Sequence, residues 1–168
     1  MATRLAYTRA VRHVKTVAAA AVAVMITQAL LAQNRLKPTV PGTAGDPMWQ
    51  AVVRTSDKRT FLTDGGLAID AALAKPAALP GREVSGKVLE TYFTAAHSAE
   101  CGLGDLKRTA SGKTYTTPDG IPLNATYIDY LRRILPRGQV RLRMSGDMHP
   151  VVIVAGTKVL GVLMPVKK

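Results

Sequence analysis

The sequence predicts an α+β chain: an N-terminal hydrophobic helix followed by one small domain of antiparallel strands with two helices. Three observations predict it. Residues 17–32, VAAAAVAVMITQALLA, carry no charge and follow Arg4, Arg9, Arg12 and Lys15. Residues 35–47, RLKPTVPGTAGDP, hold three prolines and two glycines, the composition of a linker. Beyond them, short β-branched runs alternate with turn signals, and two stretches place apolar residues at helical spacing. The organisation expected is therefore 1–34 as an N-terminal hydrophobic helix (signal anchor or signal peptide), 35–47 as a Pro/Gly linker, and 48–168 as the α+β domain.

Each element follows from local chemistry. Nothing breaks a helix over 2–33 before Pro38. Trp49–Arg54 and Arg59–Thr63 read as strands about a Ser56-Asp57-Lys58 turn. Asp64-Gly65-Gly66 is a turn signal, and Leu67–Leu73 extends as a strand. Residues 75–82, KPAALPGR, form a loop. Val84–Ala96 reads as a helix with Ser85 as its N-cap and Val88, Leu89, Tyr92 and Phe93 on one face. Residues 97–122 read mostly as loop or short hairpin. Asn124 caps a second helix with Tyr127, Ile128, Leu131, Ile134 and Leu135 on its apolar face, ended by Pro136 and Gly138. Val140–Met144, Val151–Val154 and Val159–Met164 close the chain as three strands.

The charge-free tract sets the expected address. A spanning helix wants ~20 apolar residues, and this alanine-rich run is shorter, with Gln28 in its last turn. A basic n-region before a short apolar stretch fits a signal anchor or signal peptide, with Thr27-Gln28-Ala29 as a small-x-small site. The positive-inside rule puts the N-terminus in the cytoplasm and the C-terminal domain outside. The alternative is a buried helix of a soluble, cytoplasmic domain.

Lys and Arg total 23 against 11 Asp and Glu, a formal net charge of +12. Such a field attracts polyanions, whether nucleic acid or anionic lipid. Arg132, Arg133 and Arg137 lie on or just after the second helix. Arg141 and Arg143 alternate with Val140, Leu142 and Met144 along the next strand. These five arginines are the candidate polyanion-binding set, expected to form one positive face; the alternative is a solvated basic surface with no specific partner. With one Trp, two Phe and five Tyr, the chain is poor in the platforms on which single-stranded bases stack.

No motif points to catalysis, and no cofactor is expected. His13, His97 and His149 lack the short spacing of a metal pair, so no metal site is assigned. The acids sit mostly in turns, where they bond backbone amides. Gly112-Lys113-Thr114 matches the end of a phosphate-loop pattern, but Lys107 stands where its first glycine belongs. Cys101 is the single cysteine, so no internal disulfide forms. With His97 it makes an i, i+4 pair that would share a face only if the preceding helix ran through Cys101.

LNATYIDYLRRIL at 123–135, VRLRMSGDMHPVVI at 140–153 and VLGVLMPVKK at 159–168 resemble the closing segment of bacterial DNA sliding clamps, the beta subunit of the replicative polymerase. AVVRTSDKRTFLTDGGLAI at 51–69 and GREVSGKVLETYF at 81–93 resemble earlier clamp segments. The resemblance implies an α+β topology and, as the alternative function, a cytosolic DNA-binding protein. The reading from the residues is a non-catalytic, membrane-anchored or exported protein. Its basic domain binds another macromolecule in an envelope, secretion, conjugation or virion assembly role. Protein partners, anionic lipid, nucleic acid and a homo-oligomer are all compatible with it.

Overall fold

The computed structural model of the chain describes residues 47–136, 138–146 and 149–167. The expected N-terminal helix, the linker up to residue 46, and Arg137, Asp147, Met148 and Lys168 lie outside the described residues. Among the described residues no helix is long and apolar enough to cross a membrane; the tract at 17–32 is not among them.

The described chain is α+β. In order it forms β1 (Ala51–Arg54), β2 (Thr60–Thr63), β3 (Leu67–Asp70), α1 (Ala71–Ala74), β4 (Glu83–Ser85), α2 (Lys87–Phe93) and β5 (Ala99–Gly102). A 3-10 turn (Leu103–Asp105) leads to β6 (Lys107–Arg108), β7 (Thr114–Thr116), β8 (Pro122–Asn124) and α3 (Ala125–Ile134). The last strands are β9 (Val140–Met144), β10 (Val151–Ala155) and β11 (Lys158–Leu163). One eight-stranded sheet runs β4-β1-β2-β3-β11-β10-β9-β5, and β6-β7-β8 make a second, three-stranded sheet. Among the described residues all pairings are antiparallel except β1 with β4, which is parallel.

The two halves of the large sheet join at its middle, where β3 pairs β11 with Leu67 opposite Leu163 and Ile69 opposite Gly161. Gly161 is required there, because a Cβ would drive into the Ala68 carbonyl and sit 2.9 Å from Ile69 Cδ1. Strand alternation divides the side chains between two faces. Leu67, Ile69, Leu142, Met144, Val151, Ile153 and Leu163 point to one side, where they bury against Tyr127, Ile128 and Leu131 of α3 and against Tyr115 and Leu123 of the small sheet. Val53, Phe61, Ala68, Val152, Val154 and Val162 point to the other, under Leu89 and Tyr92 of α2. Each of the large aliphatic side chains at full burial contributes roughly 1.5–3 kcal/mol.

Three expectations are corrected. The strand expected over Leu67–Leu73 stops at Asp70, whose Oδ1 accepts from Ala72 N at 3.0 Å and so starts α1. The helix expected over Val84–Ala96 is α2 alone. Its first residues belong to β4, and Gly86, not Ser85, is the N-cap. Gly86 N donates to Arg54 O at 2.9 Å, and the backbones come so close that a Cβ would clash with that carbonyl. Pairing with β1 therefore outweighs the helical pattern at 84–86. Residues 97–122 do hold a short hairpin, β6–β7, but they also supply β5, which joins the large sheet beside β9. The Asn124 cap holds: its Oδ1 accepts from Thr126 N at 2.9 Å.

Candidate functional site

Four of the five candidate arginines fall within the described residues; Arg137 does not. The large sheet separates the four into two pairs. Val140, Leu142 and Met144 of β9 face α3, so Arg141 and Arg143 take the opposite face, the side on which α2 packs. There both converge on Glu100 of β5: Arg143 Nε lies 2.8 Å and Arg141 Nε 3.8 Å from its carboxylate. Arg132 and Arg133 sit on α3, across the sheet. The single positive face expected for all four is therefore not formed.

Arg132 is a strap between elements. Its guanidinium donates to Leu103 O at 2.7 Å and to the Tyr115 hydroxyl at 2.9 Å, and it stacks 4.5 Å from the Tyr115 ring centroid. The Tyr115 hydroxyl in turn donates to Asp129 Oδ1 at 2.9 Å. Arg108 lies 5.6 Å from the same ring and 3.7 Å from Asp129 Oδ2. Tyr115 thus holds two guanidiniums and one carboxylate, tying α3 to the small sheet and to the turn after β5. Such cation–π contacts contribute about 0.5–2 kcal/mol each.

Arg133 lines an open groove of about 590 Å³ with Arg108 and Lys113, and Asn124, Thr126 and Asp129 complete its polar lining. Two segments place the cations together. α3 presents Thr126, Asp129 and Arg133 at i, i+3 and i+7, on one stripe. The turn between β6 and β7 brings Lys113 beside them, because Lys113 O accepts from Ala125 N at 3.0 Å. Gly112 holds φ +68° at the turn, and Arg108 Nε donates to its carbonyl at 3.2 Å. The Ser111-Gly112-Lys113 segment is therefore the tip of a β-hairpin. It does not join a strand to a helix, the geometry a phosphate loop needs. Sequence reading missed Arg108 and Lys113 as partners of Arg133; the signal was a basic residue on each side of a Ser-Gly turn.

Three further titratable groups, Asp64, Cys101 and His97, have shifted pKa values away from this groove. Asp64 is fully buried, and its carboxylate accepts from Gly66 N at 3.0 Å, Leu67 N at 2.9 Å and the Tyr127 hydroxyl at 2.8 Å. Burial raises its pKa against the pull of these bonds. Cys101 is buried in β5, and burial with nearby Asp105 pushes its thiol up to about 11, away from the thiolate form that nucleophilic attack needs. His97 lies before the strand that carries Cys101, so no helix face joins the two. Its Nδ1 lies 3.3 Å from Ser145 Oγ, and burial, then Arg143, lowers its pKa. Among the described residues no three His, Cys, Asp or Glu side chains cluster as metal ligands would.

A second depression of about 570 Å³ lies on the other flank of α3, with Trp49, Leu79, Tyr130 and Ile134 among its apolar walls. Neither a protein-family model, nor a curated protein, nor a solved structure matches the chain.

Proposed function

We propose that the chain is a non-catalytic, membrane-anchored or exported protein whose basic α+β domain binds a polyanionic macromolecule. The N-terminal tract at 17–32 holds it at the membrane. The observation that carries the binding half is the convergence of Arg108, Lys113 and Arg133 on one open groove whose described lining holds a single carboxylate, Asp129. A groove with three cations against one carboxylate carries a positive surplus, which concentrates anions and steers their approach. Arg141 and Arg143, each shared with Glu100, are weaker candidates for the same role.

The test is a salt series on the full chain, with anionic liposomes and duplex DNA as separate ligands. Charge reversal at Lys113 and Arg133 should weaken binding and reduce the slope of log affinity against log salt by about one for each phosphate no longer neutralised. Binding that is indifferent to both substitutions overturns the groove. Membrane fractionation tests the other half. A carbonate-resistant pool supports the anchor; a soluble pool retained on DNA at low salt supports the alternative, a cytosolic DNA-binding protein with a sliding-clamp-like domain.

A further inference from the structure

We infer that the second depression on α3 is a docking cleft for an extended peptide that combines apolar and acidic side chains. The inference deepens the macromolecule-binding reading by naming a protein partner's chemistry, and it rests on a neighbouring surface that shares Arg133 alone with the described lining of the basic groove.

The floor is aromatic. Trp49, from the segment before β1, meets Tyr130 of α3 edge-on, with ring centroids 6.0 Å apart and planes at 66°. Ile134 and the loop after α1 complete the walls. That loop holds Pro76 and Pro80, so it is stiff, and it leaves Leu79 54% exposed. Leu79 is one of two large hydrophobic side chains standing in solvent among the described residues. Leu79 alone would be ordinary, but it shares one depression with Trp49, Tyr130 and Ile134, and contiguous apolar surface of this kind marks contact sites.

Charge selects the occupant. Among the described residues, the cleft is lined by two charged side chains, Lys75 and Arg133, both cationic. The Arg133 guanidinium lies 5.7 Å from the Tyr130 ring centroid, at the edge of the apolar floor. Lys75 caps α1 in the left-handed region, φ +45° and ψ 53°, a conformation that favours glycine or asparagine. A long-chain cation at such a position costs stability, and strained residues of this kind gather at ligand sites. A basic partner would be repelled, and an uncharged one would gain nothing from the positive rim. The cleft is open, so a lipid tail laid in it would stay wet along one side. An extended peptide needs to bury only alternate side chains, and a proline-containing one arrives already extended.

Trp49 is the only tryptophan in the chain, so all tryptophan emission comes from a residue that lines this cleft. The experiment titrates the full chain, in phosphatidylcholine nanodiscs or in detergent-free buffer if it is soluble. The probe is acetyl-Asp-Glu-Ile-Pro-Leu-Glu-amide; the comparison peptide carries lysine at its three acidic positions. The expected result is a saturable change in Trp49 emission with the acidic peptide, at an affinity at least about tenfold tighter than for the basic one. Lys75→Gly removes the charge and relieves the left-handed strain, so it folds at least as well as the parent. It should weaken the acidic peptide several-fold, and Leu79→Ser should do the same. No saturable response, equal response to both peptides, or affinity untouched by both substitutions overturns the inference, as does a response to phosphatidylglycerol vesicles that the peptide does not compete away. Loss of peptide binding with polyanion binding intact would remove the cleft and leave the basic groove standing. The converse would remove the groove and leave the cleft.

Discussion

The Tyr127 hydroxyl donates a 2.8 Å hydrogen bond to Asp64 Oδ2, joining α3 to the turn between β2 and β3 across 63 residues of chain. Both side chains are buried, and the other carboxylate oxygen accepts two backbone amides of the same turn. Tyr127 also packs against Gly66, where an added Cβ would come within 2.6 Å of the hydroxyl. The Asp64-Gly65-Gly66 turn is thus a socket for one helix side chain, and that contact sets where α3 lies on the sheet.

Removing the acceptor should be costly. Asp64→Ala strands two amides and a hydroxyl without water, for a loss of about 3 kcal/mol. Asp64→Asn keeps the shape and one acceptor, and should cost about 1 kcal/mol. Urea unfolding at neutral pH separates the two. The pH dependence has a definite sign. Burial raises the folded pKa of Asp64 above its ordinary 3.8, so between the two values the folded state binds more protons. The contribution is fully present below pH 3.8 and is lost as pH rises through the folded value. Wild type should therefore lose stability relative to Asp64→Asn as pH climbs from about 4 toward neutrality.

Arg132 should prove structural. Arg132→Ala loses the bonds to Leu103 O and the Tyr115 hydroxyl and the stack on the ring, costing about 2 kcal/mol. Arg132→Lys keeps the charge but loses the fork and should recover less than half of that. Thermal unfolding measures the cost. In the salt series, Arg132→Lys should leave the slope for polyanion binding unchanged, whereas Arg133→Glu should lower it.

Gly161 should tolerate nothing larger. Gly161→Ala forces apart the β3–β11 pairing at the middle of the sheet. A loss of about 3 kcal/mol or failure to fold is expected. Gly156→Ala, where no atom lies within 4 Å of the added Cβ but φ is +58°, should cost about 1 kcal/mol. Melting temperatures of the two variants give the comparison.

The α+β class, the apolar faces of α2 and α3, the Asn124 cap and, to within two residues at their ends, the strands at 51–54, 60–63, 140–144, 151–155 and 158–163 were legible in the order of residues. Those features are local: side-chain period, capping oxygens and turn residues act within a few positions of the backbone they shape. The basic surplus was legible too, because it is a sum and needs no fold. The fate of Glu83–Ser85 was not, since a parallel partner some thirty residues upstream competes with their helical pattern. Nor could local pattern reveal that Arg132 is a strap, that Arg141 and Arg143 sit across the sheet from it, or that Lys113 reaches Arg133. Charge in a sequence carries a sign and an order along the chain. Which side of a sheet that charge reaches, and which carboxylate or ring lies within about 4–6 Å of it, depends on strands and helices brought together from distant segments.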